Sequence, residues 1–451
     1  MAKKAKKIKK GRRNELMEVN PDAAGIDIAS TEYQVCVPED RAEDNNRRFD
    51  CFTCDLHKIA KWLKECGVKT VAMESTGIYW IQLFLTLQSY GFEVLLVNAK
   101  HIKNIGEKKT DEVDAEWIML LHRYGLLKPS YQLDNNCRAI RNLVRQREEL
   151  VRQASREVQH IQKALEQMNI KLHKVISDIV GKSGILMIEA ILGGERNAEN
   201  LASLADVRIK ASKQDIIKSL EANWSEDQLF LLEQSYEAYQ FQQQQLLKCD
   251  QRVEKMLSSY STAHSEPKEF TRTTKKQNKK NMVCFDVEKH CQSIFGVNIL
   301  MIPGINGVGS LKLASELGKG FTDKFETSSQ FCSWTNTVPN NKITGGKIIA
   351  SYVPKKKNVV GQVLRQAATT LKNSKCPLGN YFRRIQSREG FSYAVVATAH
   401  KIARILYAMV KNQVEFDDRI DLDKQKTFLN KKLSSLRRTI KTLENQLELV
   451  A

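Results

Sequence analysis

The chain has 451 residues, too many for one ordinary core and enough for two or three domains. Hydrophobic residues make up 42% of it, which excludes a disordered chain, and no run of eighteen apolar residues is present to span a membrane. Lys and Arg number 71 against 52 Asp and Glu, and a formal charge of +19 calls for a polyanion, of which nucleic acid is the usual one.

Residues 1–18 form a basic arm, in which Lys3, Lys4, Lys6, Lys7, Lys9, Lys10, Arg12 and Arg13 crowd together. No apolar stretch follows them, so they do not read as a secretory signal, and a cytoplasmic protein is expected. Ten cysteines in such a chain are expected to be reduced. Cys51 and Cys54 make a lone Cys-x-x-Cys with no second pair for a zinc site. The alternation Phe49, Cys51, Thr53 predicts one face of a strand instead.

Residues 19–133 alternate strand and helix signals, with strands near 23–29, 33–37, 49–54, 68–73 and 94–97 and helices near 56–66 and 80–90. The order βββαβαβα predicts a mixed sheet flanked by helices. Residues 134–262 then change period. Val151, Ala154, Val158, Ile161, Leu165, Met168 and Leu172 form a heptad seam, and a second runs from Leu229 to Leu257. The two helices are expected to pair as an antiparallel coiled-coil arm, with residues 175–225 as a helical insert at its tip. Residues 263–290 read as a basic linker and 291–416 as a second globular domain. In residues 417–451, Leu429, Leu433, Leu436, Ile440, Leu443, Leu447 and Val450 give a coiled coil that is expected to oligomerise.

Four carboxylates stand out. Asp27 sits between Ile26 and Ile28 in an apolar strand, where desolvation is costly unless a positive group meets it. Glu74 follows Val71-Ala72-Met73, where the chain leaves the sheet. Asp111 and Asp114 are three residues apart in a helix that continues through Trp117 and Leu121, and that spacing places both on one face. Taken singly, each has a plainer explanation, as a turn cap, a helix N-terminal acid or a solvated charge. Together they suggest a shared divalent cation. Mg²⁺ takes carboxylates, waters and substrate phosphates, and a pair of such ions can clamp the attacking and leaving oxygens of a phosphoryl transfer.

At these residues the chain resembles the Asp-Glu-Asp-Asp recombinases of insertion-sequence family one hundred and ten, which include the Piv-type DNA invertases. The resemblance rests on GIDIA with Asp27, MESTGIYW with Glu74, and KTDEVDA with Asp111 and Asp114. It continues through LMIPGINGVGSLKLASELG, FCSWTNTVPNNKITGGK, VLRQAA and AHKIARILY, covering nearly the whole chain outside the basic arm and the C-terminal heptads. It implies a RuvC-like domain of the RNase H fold holding the four carboxylates, a coiled-coil middle, and a mainly helical C-terminal transposase domain with a nucleophilic serine. It also implies donor and target DNA as partners, a structured guide RNA from the element, and a bacterial, nucleoid-associated setting. One position departs from the pattern. Where a serine should precede Gly-Gly-Lys, this chain has Thr344 before Gly345, Gly346 and Lys347. A threonine hydroxyl can attack phosphorus, although its methyl group stiffens χ1. Thr344 is therefore the candidate nucleophile, with Ser351 as the alternative; a plain loop threonine before a glycine turn is the competing explanation.

Further residues suit nucleic acid. Gly304, Gly307 and Gly309 in Pro-Gly-Ile-Asn-Gly-Val-Gly look like a helix-hairpin-helix turn, whose amides suit a phosphate oxygen, or else a tight structural turn. Lys355, Lys356, Lys357 and Arg365 are candidate phosphate contacts, as are Arg383 and Arg384, unless they form a solvated basic face. His400 lies in an apolar helical pattern and reads as a core or capping histidine. The combined expectation is a transposase that cuts and rejoins DNA with Mg²⁺ and a hydroxyl nucleophile, working as a dimer or tetramer. A Holliday-junction resolvase-like endonuclease using metal-activated water is the main alternative, and a non-catalytic nucleic-acid scaffold the second.

Overall fold

The computed structural model describes residues 17–75, 77–98, 111–262, 281–353, 358–417, 430 and 433–442, without the side chains of 111–113, 261 and 262. Most of the basic arm, most of the linker, Lys355 to Lys357, and Leu429, Leu443, Leu447 and Val450 of the C-terminal heptads lie outside the described residues. The chain divides into two compact units, 1–132 and 133–451.

In the first unit, strands β1 (Ala23–Ile28), β2 (Glu32–Cys36) and β3 (Asn46–Asp50) run as an antiparallel meander. Helix α1 (Thr53–Glu65), β4 (Thr70–Glu74), α2 (Trp80–Ser89), β5 (Glu93–Val97) and α3 (Asp111–Arg123) complete it. The sheet order is β3-β2-β1-β4-β5, with β4 parallel to both β1 and β5. β1 and β4 are covered on both faces, which is why they read as almost continuous apolar runs. Ala24, Ile26, Val71 and Met73 pack under Leu63 and Leu83 of α1 and α2. On the opposite face, Ala72 and Val97 pack against Ile118 of α3. This mixed α/β unit, followed by a mostly helical one, is compatible with an RNase H-like fold joined to a helical part.

The strand predicted over 49–54 ends at Asp50, and Thr53 already opens α1. Cys51 is half-buried against the core, whereas Cys54 is exposed on the helix, so the two do not share a strand face. All ten cysteines are free thiols.

The second unit is built on α4 (Asn135–Gln167) and α9 (Glu226–Thr262). Tyr260 donates to Asp134 at 2.8 Å, the Cys249 thiol to the Leu143 carbonyl at 3.4 Å, and the Asn223 amide to the Met168 carbonyl at 2.9 Å. Rising numbers on one helix meet falling numbers on the other, so the pair is antiparallel. Arg147 and Asp250 close a buried ion pair between them at 2.6 Å. Beyond this pair, the short helices α5 (Leu172–Val175), α6 (Lys182–Leu192), α7 (Ala198–Ser203) and α8 (Lys213–Leu220) share one core with the adjoining ends of α4 and α9.

The C-terminal part of this unit runs through α10 (Val287–Phe295), α11 (Gly307–Leu317), α12 (Phe321–Lys324) and α13 (Ser328–Trp334) to a hairpin of β6 (Asn340–Thr344) and β7 (Lys347–Tyr352). Helices α14 (Val359–Thr370), α15 (Pro377–Glu389) and α16 (Phe391–Asn412) follow, and Phe321, Phe331 and Tyr407 cluster in the core. The segment 433–442 is helical, with Leu433, Leu436 and Ile440 about half exposed.

Candidate active site

The parallel pairing of β1 with β4 sets Gly25 opposite Ala72 and Ile26 opposite Met73. One step further, the same register brings Asp27 level with Glu74. Alternation decides the faces. Ile26 and Met73 belong to the core under α1 and α2, so Asp27 and Glu74 turn with Gly25 and Ala72 toward α3. Glu74 is 9% exposed and Asp27 is half-buried.

Glycine at position 25 brings the helix down onto the strand. A Cβ there would stand 2.2 Å from the Met119 amide nitrogen and 2.4 Å from the Ala115 carbonyl oxygen. The direction of α3 follows from its C-terminal contacts. The Val19 and Asn20 amides, just before β1, both donate to the Arg123 carbonyl at 3.0 and 2.9 Å. His122 Nε2 lies 2.9 Å from Thr70 Oγ1 at the start of β4. The helix therefore ends over the beginnings of β1 and β4 and starts over their C-terminal ends, where Asp27 and Glu74 stand. Asp114, half-buried, lies one turn before buried Ile118, and Asp111 occupies the first residue of the helix, one turn before buried Ala115. The Asp111 side chain is outside the described residues.

Among the described residues, no three of His, Cys, Asp and Glu close into a metal cage. The donor chemistry nevertheless suits a hard divalent ion, which takes one or two carboxylates and completes its shell with waters and phosphate oxygens. Burial pushes the Cys36 thiol up to about 12, with Glu116 and Glu39 adding to it. Burial likewise lowers His122 to about 4.

Thr344 and Ser351 belong to the second unit, on a ribbon exposed along both strands. Gly345 and Gly346 have φ of 56° and 78°, the left-handed pair that a two-residue hairpin turn requires. Thr344 pairs with Lys347, and Ile343 with Ile348. After the irregularity at Lys342/Ile343, Lys342 pairs with Ala350 and Asn341 with Ser351. Directly paired residues share a face and neighbours alternate. Thr344 thus shares its face with Lys342 and Lys347, and Ser351 shares the other with Ile343 and Ile348. The two candidate hydroxyls point to opposite sides. The hairpin is an addition to the elements expected from the sequence, and Gly-Gly between β-branched residues in Lys-Ile-Thr-Gly-Gly-Lys-Ile-Ile is the signal that marks it.

The glycine turn has its own internal explanation. Gly304, at φ 93°, would carry a Cβ 2.5 Å from the Ala367 carbonyl oxygen, and the Gly309 amide donates to its own N-cap, Asn306, at 2.7 Å. Gly307 is buried. Arg365 is half-buried, donates to the Asn336 carbonyl at 3.2 Å, and has its pKa lowered by desolvation. His400 is half-buried in α16, and desolvation and the nearby Arg404 lower its pKa.

Residues 24–170 match the model of the DEDD transposase family of IS110 elements, described as a transposase. Among curated proteins, none matches. The matched stretch runs from β1 to just past α4 and contains Asp27, Glu74, Asp111 and Asp114. Over residues 24–170 the chain is similar to the DEDD family of IS110 transposases, and that likeness supports an enzyme acting on DNA.

Proposed function

We propose that this transposase cuts and rejoins donor and target DNA through Mg²⁺ held by Asp27, Glu74, Asp111 and Asp114, with the Thr344 hydroxyl as nucleophile. The observation that carries the reading is the level, same-face placement of Asp27 and Glu74 beneath the N-terminal turn of α3. When bound, the metal offsets the charge that develops on the phosphoryl oxygens. The chain's own residues do the rest. Thr344 Oγ bonds to the scissile phosphorus as the P–O bond to the departing strand breaks, and that strand leaves with a free hydroxyl. The phosphoester is conserved in a protein–DNA link, so rejoining needs no ATP. Lys347, paired with Thr344, provides a cation for the same phosphate. A structured guide RNA from the element would select the DNA, and a second copy joined through the C-terminal heptads would bring further sites to the two duplexes.

Adduct trapping tests this reading. The protein is incubated with element-end DNA, Mg²⁺ and the element's RNA, then resolved on a denaturing gel and analysed by mass spectrometry. A DNA adduct on Thr344, lost in Asp27→Asn and Asp111→Ala, is expected. An adduct on Ser351 moves the nucleophile to the other face of the ribbon. Clean cleavage with no adduct replaces the hydroxyl by water and makes the enzyme resolvase-like. Undiminished activity in both carboxylate variants overturns the site.

A further inference from the structure

Helices α15 and α16 carry a surface to which the reaction above assigns no role. Between residues 372 and 404 the sequence has seven Lys or Arg and one acid, Glu389. Leu378, Gly379 and Phe382 of α15 turn inward, leaving Arg384 and Arg388 on its outer side. Aromatic rings are interleaved with these cations. The Arg384 guanidinium lies 5.4 Å from the Tyr381 ring centre and Lys401 Nζ 5.1 Å from it. Lys372 Nζ stands 5.8 Å from the ring centre of Phe391. Phe391 is 45% exposed and Tyr381 half-buried.

A solvated basic face needs no rings, and an apolar interface would not gather this much positive charge. Cations set over partly exposed rings suit a strand whose phosphates are anionic and whose bases are free to stack. Duplex DNA satisfies only half of that arrangement, because its bases are stacked on one another. An enzyme that exchanges strands must open its duplex, which supplies unpaired DNA. We propose that the α15–α16 surface binds single-stranded DNA, with bases stacked on Tyr381 and Phe391 and phosphates on Lys372, Arg384 and Lys401. The proposal depends on the recombinase reading only for the choice of DNA.

Fluorescence anisotropy with the full-length protein, EDTA and a labelled oligothymidylate tests it; no metal or cleavage is involved, so failure here leaves the carboxylate site standing, and the reverse holds too. Tyr381→Leu and Phe391→Leu should each weaken the single strand about tenfold and leave a duplex of equal length unchanged, while Tyr381→Phe and Phe391→Tyr retain affinity. Arg384→Gln, at an exposed position, should reduce the slope of log affinity against log salt by about one ion. Equal losses for duplex and single strand overturn the stacking role. Tighter binding of oligouridylate than of oligothymidylate overturns the assignment to DNA, and equal displacement of the strand by polyglutamate reassigns the surface to an acidic protein.

Discussion

At the scale of single residues, the proposed carboxylate site depends on a glycine and a histidine that do no chemistry. Gly25 lets α3 rest on β1, and the atoms that a side chain would meet are backbone atoms, which cannot rotate away. Gly25→Val should therefore cost about 3 kcal/mol in urea unfolding, the upper end for overpacking, and abolish strand cleavage by lifting Asp111 and Asp114 off the sheet. Wild-type stability with full cleavage would refute that dependence. His122 holds the other end of α3 against Thr70. Burial lowers it from 6.5 to about 4, so between these values the unfolded chain holds a proton that the folded chain does not. Stability should fall as pH drops from about 6.5 and level off near 4, a loss of about 3 kcal/mol in all, with nothing gained above 6.5. His122→Gln, which keeps a partner for Thr70, should remove that slope; urea midpoints measured across the window decide it.

At the scale of elements, the antiparallel pair α4–α9 encloses a charge that hydrophobic periodicity cannot account for. Asp250 occupies a seam position and is buried against Arg147, which also donates to the Asn281 carbonyl at 3.0 Å. Removing one partner strands the other in an apolar interface. Arg147→Met should cost about 3 to 5 kcal/mol, and adding Asp250→Leu should recover most of it. Chemical denaturation of the two variants separates this from an exposed pair, for which both changes would be nearly silent. The β6–β7 hairpin is the opposite case. Its strands are exposed throughout, and an isolated two-stranded ribbon is only marginally stable in water, so it is suited to gaining order from a substrate rather than supplying a core.

At the scale of the whole molecule, charge governs the encounter with DNA. With a net +19, affinity for non-specific duplex should fall linearly on a log–log plot against salt. If about six to ten phosphates are contacted, the loss between 50 and 200 mM salt is about a thousandfold or more. A binding isotherm insensitive to salt would show that the positive charge lies elsewhere than on the DNA-facing surface. No helix among the described residues is long and apolar enough to cross a membrane.

How much of this was legible beforehand depends on the range of the forces involved. The meander, both parallel strands and the helices α1, α2, α4 and α9 follow from local periodicity, because each element must bury one stripe or face. The strand boundary at Asp50 is not legible in the sequence, since Phe49, Cys51 and Thr53 keep a strand period even after the helix has begun. Asp27, Glu74, Asp111 and Asp114 were visible as acids in places where acids are costly. Sequence spacing could not show that Asp27 and Glu74 are level, because register is a relation between strands more than forty residues apart. Nor could it show that Thr344 and Ser351 face opposite sides, because the irregularity at Lys342/Ile343 shifts the phase of one strand against the other. The sequence by itself determined most helices and strands of the first unit and the long helices α4 and α9, the basic character and the identity of the acids, since these depend on side-chain chemistry and near neighbours. Only the tertiary structure decided which side chains share a face and at what height, because parallel pairing, helix direction and the close approach at Gly25 arise from contacts that no local pattern encodes.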